Sequence, residues 1–241
     1  MTERKAIVII PVRGNSKRLP GKNIRDLNGL PLVAHSILYA KLFPEIVTEV
    51  YVSTDNEEIA QVSQAFGAKV IKRPDELALD TSPTLPVLTD ALLQLNDPSI
   101  TDVILLQATN PLRERDLLKN VWQIYIQDSL NLQSLFSVTR SFAKLGKIID
   151  NKYIPWNYQI GQRSQDLEPL YFEDGVIYIS STKNILNGVL LDENAYPYIN
   201  HHLSVDIDTI EEFEHSEYLF SQLNIGLDDN NIYTPLKEEK K

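Results

Sequence analysis

Lys5-Ala6-Ile7-Val8-Ile9-Ile10-Pro11-Val12-Arg13-Gly14-Asn15-Ser16-Lys17-Arg18-Leu19-Pro20-Gly21-Lys22-Asn23 is an apolar run that breaks into a glycine-punctuated basic loop. The run lacks the polar alternation of a half-exposed strand, so it predicts a first strand buried on both faces. Downstream, helix-like and strand-like segments alternate. Helical spacing covers 31–42, 57–66, 83–95 and 114–127, and strand-like runs cover 46–53, 69–71, 102–106 and 134–139. Gly67 is a stop signal for the second helix, and Leu85, Leu88, Leu92 and Leu95 recur at helical spacing in the third. In the third helix, Thr81 or Ser82 reads as the N-cap, with Pro83 in the first turn. Strands separated by helices of this length form βαβ units, so the expected fold class is α/β, a mostly parallel sheet flanked by helices.

The pattern weakens over 141–172, a stretch rich in Lys, Tyr, Gln and Pro that reads as a hairpin or loop excursion. A strand is expected at 175–180, a last short strand at 202–205 and a closing helix at 209–223. Thr209 and Glu212 have the spacing of a capping box at that helix start. The chain thus reads as one domain over 1–228, with 141–172 as an excursion and 229–241 as a polar tail expected to fray.

Composition narrows the class. The chain has 241 residues, 43% of them hydrophobic, enough for one full core. No apolar run approaches the roughly 20 residues of a membrane span. Ala6–Ile10 is too short for a signal-peptide core and has no small-residue cleavage site after it. The absence of cysteine excludes disulfides, thiolate metal sites and a cysteine nucleophile, and fits a cytoplasmic location. A net charge of −10 argues against a nucleic-acid partner. An acidic chain can still bind a polyanion where its positive charge is gathered locally.

The opening loop is such a place. Arg13 to Arg25 holds five basic residues and no acidic one. Gly14 and Gly21 allow close backbone approach or positive φ. Ser16 and free N–H groups can donate to phosphate oxygens, and Arg13 and Lys22 can neutralise a triphosphate and a departing pyrophosphate. A loop at the carboxyl end of a strand is where open α/β sheets bind ligands. The dinucleotide fingerprint is absent. The Walker pattern fails because six residues separate Gly14 from Gly21 and Asn23 follows Lys22. The plainer alternative, a solvated basic loop, leaves the glycine spacing and the local charge reversal unexplained.

Two further segments follow strand ends. Arg73-Pro74-Asp75-Glu76-Leu77-Ala78-Leu79-Asp80-Thr81-Ser82-Pro83-Thr84 precedes a helix, and helix initiation accounts for its last residues but not for Arg73. Leu105-Leu106-Gln107-Ala108-Thr109-Asn110-Pro111-Leu112-Arg113 places a glutamine at a strand terminus, where it can donate and accept. Ser204-Val205-Asp206-Ile207-Asp208-Thr209 carries two carboxylates at i, i+2 on a strand end, where they point to one side. Like charges so close call for a cation. Mg²⁺ commonly joins one or two carboxylates to substrate phosphates.

These motifs together resemble the CMP-sialate synthetases, the acylneuraminate cytidylyltransferases. The resemblance covers about residues 5–220. It implies a Rossmann-like nucleotide-diphospho-sugar transferase fold and a homodimer. It also implies Mg²⁺ on Asp206 and Asp208, and transfer of CMP from CTP to a nine-carbon acidic sugar. It places Arg13, Gly14, Ser16 and Lys22 at the triphosphate, Asn23 at the nucleoside, Arg73 and Thr84 at the cytidine, and Gln107 at the acceptor. Arg13, Lys22 and Asp208 are the expected catalytic residues. Arg163-Ser164-Gln165-Asp166-Leu167 and Gly175-Val176-Ile177-Tyr178 are similar to acceptor-site segments at the family's dimer edge. Lys144 and Arg163 are candidates for the acceptor carboxylate, and Tyr178 for the pocket wall. The chain departs from the family pattern at Asn110, Glu168, Asp174, Leu190 and Leu191. Candidates for the general base are a metal-bound water, Asp208 and a water held by Gln107. The competing readings are a cytidylyltransferase for the eight-carbon 3-deoxy-octulosonate and a non-catalytic nucleotide sensor. The intact acidic pair and basic loop weigh against the sensor.

Overall fold

The computed structural model of the chain describes residues 4–127, 131–228 and 233–237. Its strands are β1 (Ala6–Pro11), β2 (Asp26–Leu27), β3 (Leu30–Pro31), β4 (Val47–Thr54), β5 (Lys69–Lys72), β6 (Asp102–Leu105) and β7 (Ser134–Ser141). Then come β8 (Gly146–Ile149), β9 (Lys152–Pro155), β10 (Leu170–Ser181), β11 (Tyr196–Ile199), β12 (Gly226–Leu227) and β13 (Tyr233–Thr234). The helices are α1 (Leu32–Ala40), α2 (Glu57–Ala65), α3 (Thr84–Leu95), α4 (Leu117–Tyr125), α5 (Thr182–Leu186) and α6 (Ile210–Leu223).

One seven-stranded sheet runs β11-β7-β10-β6-β1-β4-β5. β1 pairs in parallel with β4 on one side and β6 on the other, and β5 continues the parallel run. β10 is antiparallel to both β6 and β7. The sheet is therefore mostly parallel with helices on both faces, as the sequence pattern predicts.

The buried run of β1 serves two cores. Ala6, Val8 and Ile10 pack with Val33, Ile37 and Tyr39 of α1, while Ile7 and Ile9 pack with Leu88, Ala91 and Leu92 of α3. Alternating side chains of an extended strand face opposite ways, so every position of the run is apolar. A third cluster joins Leu19 of the basic loop, Leu32, Ile207 and the α6 residues Phe213 and Phe220.

Most predicted elements occur within a few residues of their expected limits, and three do not. No strand forms at 202–205; the edge strand is β11, parallel to β7. The Asn200 N–H closes that ladder on the Val138 carbonyl, and the His202 N–H turns back to Asn200 Oδ1 at 3.0 Å. Pro197 disguised β11, but an edge strand tolerates a proline. The N-cap of α3 is Pro83, with no side-chain cap, while Ser82 Oγ donates to the Glu76 carbonyl at 3.2 Å. Within the expected tail, 233–237 packs on the body: Tyr233 and Leu236 are buried, and Leu236 bridges Glu114. Residues 229–232 and 238–241 of that tail lie outside the described residues.

Over 141–172 the chain leaves the sheet as the hairpin β8–β9, expected only as a hairpin or loop. Asp150 and Asn151 turn it with φ of 48° and 61°, the left-handed pair of a type I′ hairpin turn. α6 starts with the predicted capping box, in which Thr209 Oγ1 accepts from the Glu212 N–H and Glu212 accepts from the Thr209 N–H.

Candidate active site

A cleft of about 500 Å³ opens at the carboxyl ends of β1, β5 and β6. Its floor is the basic loop after β1. Gly21 takes φ 69°, and a Cβ at Gly14 would lie 2.7 Å from Asn56 Cβ, so both glycines are required by geometry. The Gly14 N–H donates to Asp55 Oδ1 at 2.8 Å, and Asn23 Nδ2 donates to the Arg13 carbonyl at 3.0 Å. Between the glycines, Leu19 is 5% exposed and anchors the loop in the third cluster. The intervening polar side chains Arg13, Ser16, Lys17 and Arg18 are left lining the cleft.

The acidic pair enters from the segment before α6. That segment is irregular, not a strand end as expected. Ile207 is fully buried beside Leu19, and its N–H donates to the Thr109 carbonyl at 2.8 Å. With the central residue drawn inward, Asp206 and Asp208 on either side both line the cleft. Lys22 Nζ ties the two segments together, reaching the Ile207 carbonyl at 2.5 Å and Asp208 Oδ1 at 2.7 Å. Arg18 forms a second ion pair with Asp208. The two carboxyls differ in consequence. Burial, and then the neighbouring Asp208, raise Asp206 above the ordinary carboxylate value. Partial burial also works to raise Asp208, but Lys22 and Arg18 overcome it and hold the group below that value. Asn110 Nδ2 donates to Asp206 Oδ1 at 3.2 Å.

The remaining walls come from the other two segments. Arg73 is 4% exposed, and its Nη2 donates to the Ser53 carbonyl at 2.6 Å. Burial pulls its guanidinium down to about 10, still a cation at neutral pH. Thr84, Val87, Gln107 and Thr109 complete the wall. Gln107 is held through its main chain. The buried Arg113 donates from Nη2 to the Gln107 carbonyl at 2.8 Å, from Nη1 to Ser36 Oγ at 3.0 Å and from Nε to the Val176 carbonyl at 3.0 Å. Gly175 passes close behind with φ 73°; a Cβ there would lie 2.9 Å from Asn110 Nδ2.

Arg13, Ser16, Lys22, Asn23, Arg73, Thr84, Gln107, Asp206 and Asp208 thus converge on one cleft, while Gly14 shapes the loop behind it. The other acceptor candidates, Lys144, Arg163 and Tyr178, do not line that cleft. Lys144 Nζ lies 5.5 Å over the Tyr158 ring, and Arg163 pairs with Asp166 on an exposed turn. Tyr178 is a buried member of the second core, and its hydroxyl donates to Glu173 at 3.2 Å. Asp174 is also internal. It anchors the bulge in β10, accepting from Ser137, from Thr139 Oγ1 at 2.9 Å and from Asn200 Nδ2 at 3.0 Å. Sequence reasoning assigned no role to Lys17, Arg18, Asp80 or Thr109. Asp80 pairs with both Arg13 and Lys17 across the cleft. Lys17 and Arg18 were visible as charge in the loop, but their partners lie far along the chain: Lys17 meets Asp80, and Arg18 meets Asp208, 190 residues away.

The family model described as cytidylyltransferase matches residues 7–234. A Legionella pneumophila protein, CMP-N,N'-diacetyllegionaminic acid synthase, is 33% identical over 223 residues, covering 85% of this chain and 91% of the relative. A Campylobacter jejuni protein, pseudaminic acid cytidylyltransferase, is 33% identical over 229 residues, covering 90% of this chain and 96% of the relative. The solved CMP:2-keto-3-deoxy-manno-octonic acid synthetase complexed with CTP superimposes with a TM-score of 0.70 at 20% identity. That match covers 90% of this chain and 99% of that one, and it is a likeness of fold.

Proposed function

The chain belongs to the cytidylyltransferase family and is a nucleotidyltransferase, and on that premise we propose which acceptor it uses and how its residues act. The reaction is transfer of CMP from CTP to the anomeric hydroxyl of a nine-carbon acidic sugar of the neuraminate, legionaminate or pseudaminate kind, with release of pyrophosphate. The observation that carries it is the meeting of the cationic β1 loop with Asp206 and Asp208 in one cleft.

In the proposed step the anomeric hydroxyl gives its proton to a water held by Gln107 as its oxygen forms a bond to the α-phosphorus. The bond from that phosphorus to the bridging oxygen breaks, and its electron pair leaves with pyrophosphate. Arg13 and Lys22 balance the charge gathering on the leaving group. Ser16 donates to the polyphosphate, Asn23 and Arg73 hold the nucleoside, Thr84 closes on the cytidine and Gln107 orients the attacking hydroxyl. Fixing both reactants in line supplies much of the acceleration.

Among the described residues no group of three or more Asp, Glu or His side chains is placed to hold a metal, and the acidic pair suits a Mg²⁺ ion that completes its shell with phosphate oxygens and water. Asp206 and Asp208 would hold it, and when bound it supplies charge neutralisation to the polyphosphate. Asp208 would exchange its pairs with Lys22 and Arg18 for that role, which frees both cations to meet phosphate.

The acceptor carboxylate is assigned to Lys144 and Arg163 of a second copy in a homodimer. What supports this is the excursion. Ile148, Trp156 and Ile160 are 77%, 62% and 86% exposed on and beside one hairpin, a concentration of apolar surface that calls for a partner. Among the described residues no helix is long and apolar enough to cross a membrane, and a cytoplasmic location is part of the proposal.

The test is pyrophosphate release from CTP and Mg²⁺ with a panel of acidic sugars, with ATP, GTP and UTP as controls. Release with CTP and a nine-carbon acid is expected. Release only with 3-deoxy-octulosonate would replace the acceptor assignment, and CTP binding without release across the panel would favour a sensor.

A further inference from the structure

Two carboxylates hold four cations of the cleft. Asp208 takes Lys22 and Arg18, and belongs to the reaction proposed above; Asp80 takes Arg13 and Lys17, and has no part in it. Asp80 stands on the opposite wall, between the short helical turn Asp75–Leu77 and α3. Its surroundings are open: Leu79 before it is 58% exposed, and Thr81 and Pro83 after it are exposed too. Local turn bonds hold the segment, Ala78 N–H to the Asp75 carbonyl and Ser82 N–H to the Leu79 carbonyl. Lys17 and then Arg13 hold the Asp80 carboxyl below its ordinary value, so it is an anion throughout the neutral range.

A carboxylate bridging Arg13 and Lys17 uses the donors that a polyphosphate needs. Phosphate brought to the same donors would meet Asp80 at contact distance, where two anions repel strongly in a partly desolvated cleft. Both cannot occupy the place together. The segment carrying Asp80 has few buried contacts, so it is the partner able to give way.

We propose that Asp80 is an internal counter-anion that fills the polyphosphate subsite of the empty enzyme, is displaced by the β- and γ-phosphates of CTP, and returns as pyrophosphate leaves. It screens Arg13 and Lys17 from each other while the cleft is empty, as Asp208 does for Lys22 and Arg18. It also sets a threshold, since a ligand must bring enough charge to take both Arg13 and Lys17. Its return weakens the hold on pyrophosphate. For the nucleotide the proposal rests on the cytidylyltransferase reading; for the anion it rests on the geometry of the cleft.

Calorimetric titration of the full chain with CTP and, separately, with pyrophosphate tests it, comparing Asp80→Asn with the parent at low ionic strength. Glu76→Gln is the control, because Glu76 is exposed on the same segment and forms no ion pair among the described residues. Asp80→Asn is expected to bind both ligands about three- to tenfold tighter, the scale of one or two exposed ion pairs released from competition. Glu76→Gln is expected to stay within about twofold, the scale of a distant screened charge. Unchanged or weaker binding by Asp80→Asn, or an equal gain in Glu76→Gln, overturns the proposal. A pyrophosphate gain with no CTP binding by either protein would keep the counter-anion and remove the nucleotide reading.

Discussion

The nucleotide cleft and the 141–172 excursion solve the problem of charged and apolar groups in opposite ways. In the cleft each functional charge has a partner from the same chain. Lys22 is 5% exposed between Ile207 and Asp208, Arg73 is locked onto Ser53, and Leu19 and Ile207 bind the two sides through one apolar cluster. On the excursion the apolar groups face outward, and Lys144 and Arg163 meet Tyr158 and Asp166 of the same excursion. The first region pairs its charges within one chain. The second leaves its apolar surface for the partner proposed above. Binding of the nucleotide and binding of the acceptor should therefore respond to different perturbations.

The sharpest way to break this division is Asp208→Asn. Turnover should fall by two to three orders of magnitude, about the cost of removing one group that stabilises developing charge. Its Mg²⁺ dependence should flatten, while calorimetry still finds CTP bound because Lys22 and Arg18 lose a competitor. Near-parent turnover would return Asp208 to a structural role.

A second perturbation reaches the cleft side through its core. His35 of α1 is fully buried, with Nε2 against the Leu27 carbonyl at 2.9 Å, and burial lowers its pKa from 6.5 to about 4. The native state keeps the ring neutral where the unfolded chain takes up a proton, so stability is full above pH 6.5 and falls as pH drops from 6.5 towards 4. The loss approaches about 3 kcal/mol at the lower end, since one pKa unit corresponds to roughly 1.4 kcal/mol. Thermal melts between pH 7 and 4 should show this slope, and His35→Gln should flatten it. An unchanged slope in the variant would assign the effect to the carboxylates.

Arg163→Ala gives the smallest effect and the cleanest separation. KM for the acceptor should rise about tenfold, the scale of one charge-assisted contact, with KM for CTP and the melting temperature unchanged. A shift in CTP binding would show that the excursion and the cleft are not separable.

The sequence displayed whatever is local. β1 announced itself through seven consecutive apolar residues, Ala6 to Val12, and the cationic loop through glycine spacing and charge reversal. The α6 capping box was legible because both partners lie within three residues. The antiparallel insertion of β10 between β6 and β7 was not, because nothing in Leu170–Ser181 encodes which way its neighbours run. β11 was hidden by Pro197 and by tyrosines only half buried. Tyr233 and Leu236 looked like tail because their burial depends on a surface made by residues far earlier in the chain. In the cleft, residue types were readable but pairings were not: Asp80 sits in a recognisable segment, yet its bond to Arg13 exists only once the two loops face each other.

Arg113 has a bearing on redesign. Its guanidinium grips the backbone at Gln107 and Val176 and the hydroxyl of Ser36, and takes nothing from the Gln107 side chain. Position 107 is thus a socket whose frame is independent of what is plugged into it. A library varied at that one position would sample different contacts with the proposed acceptor on an unchanged scaffold, whereas altering Arg113 would dismantle the socket itself.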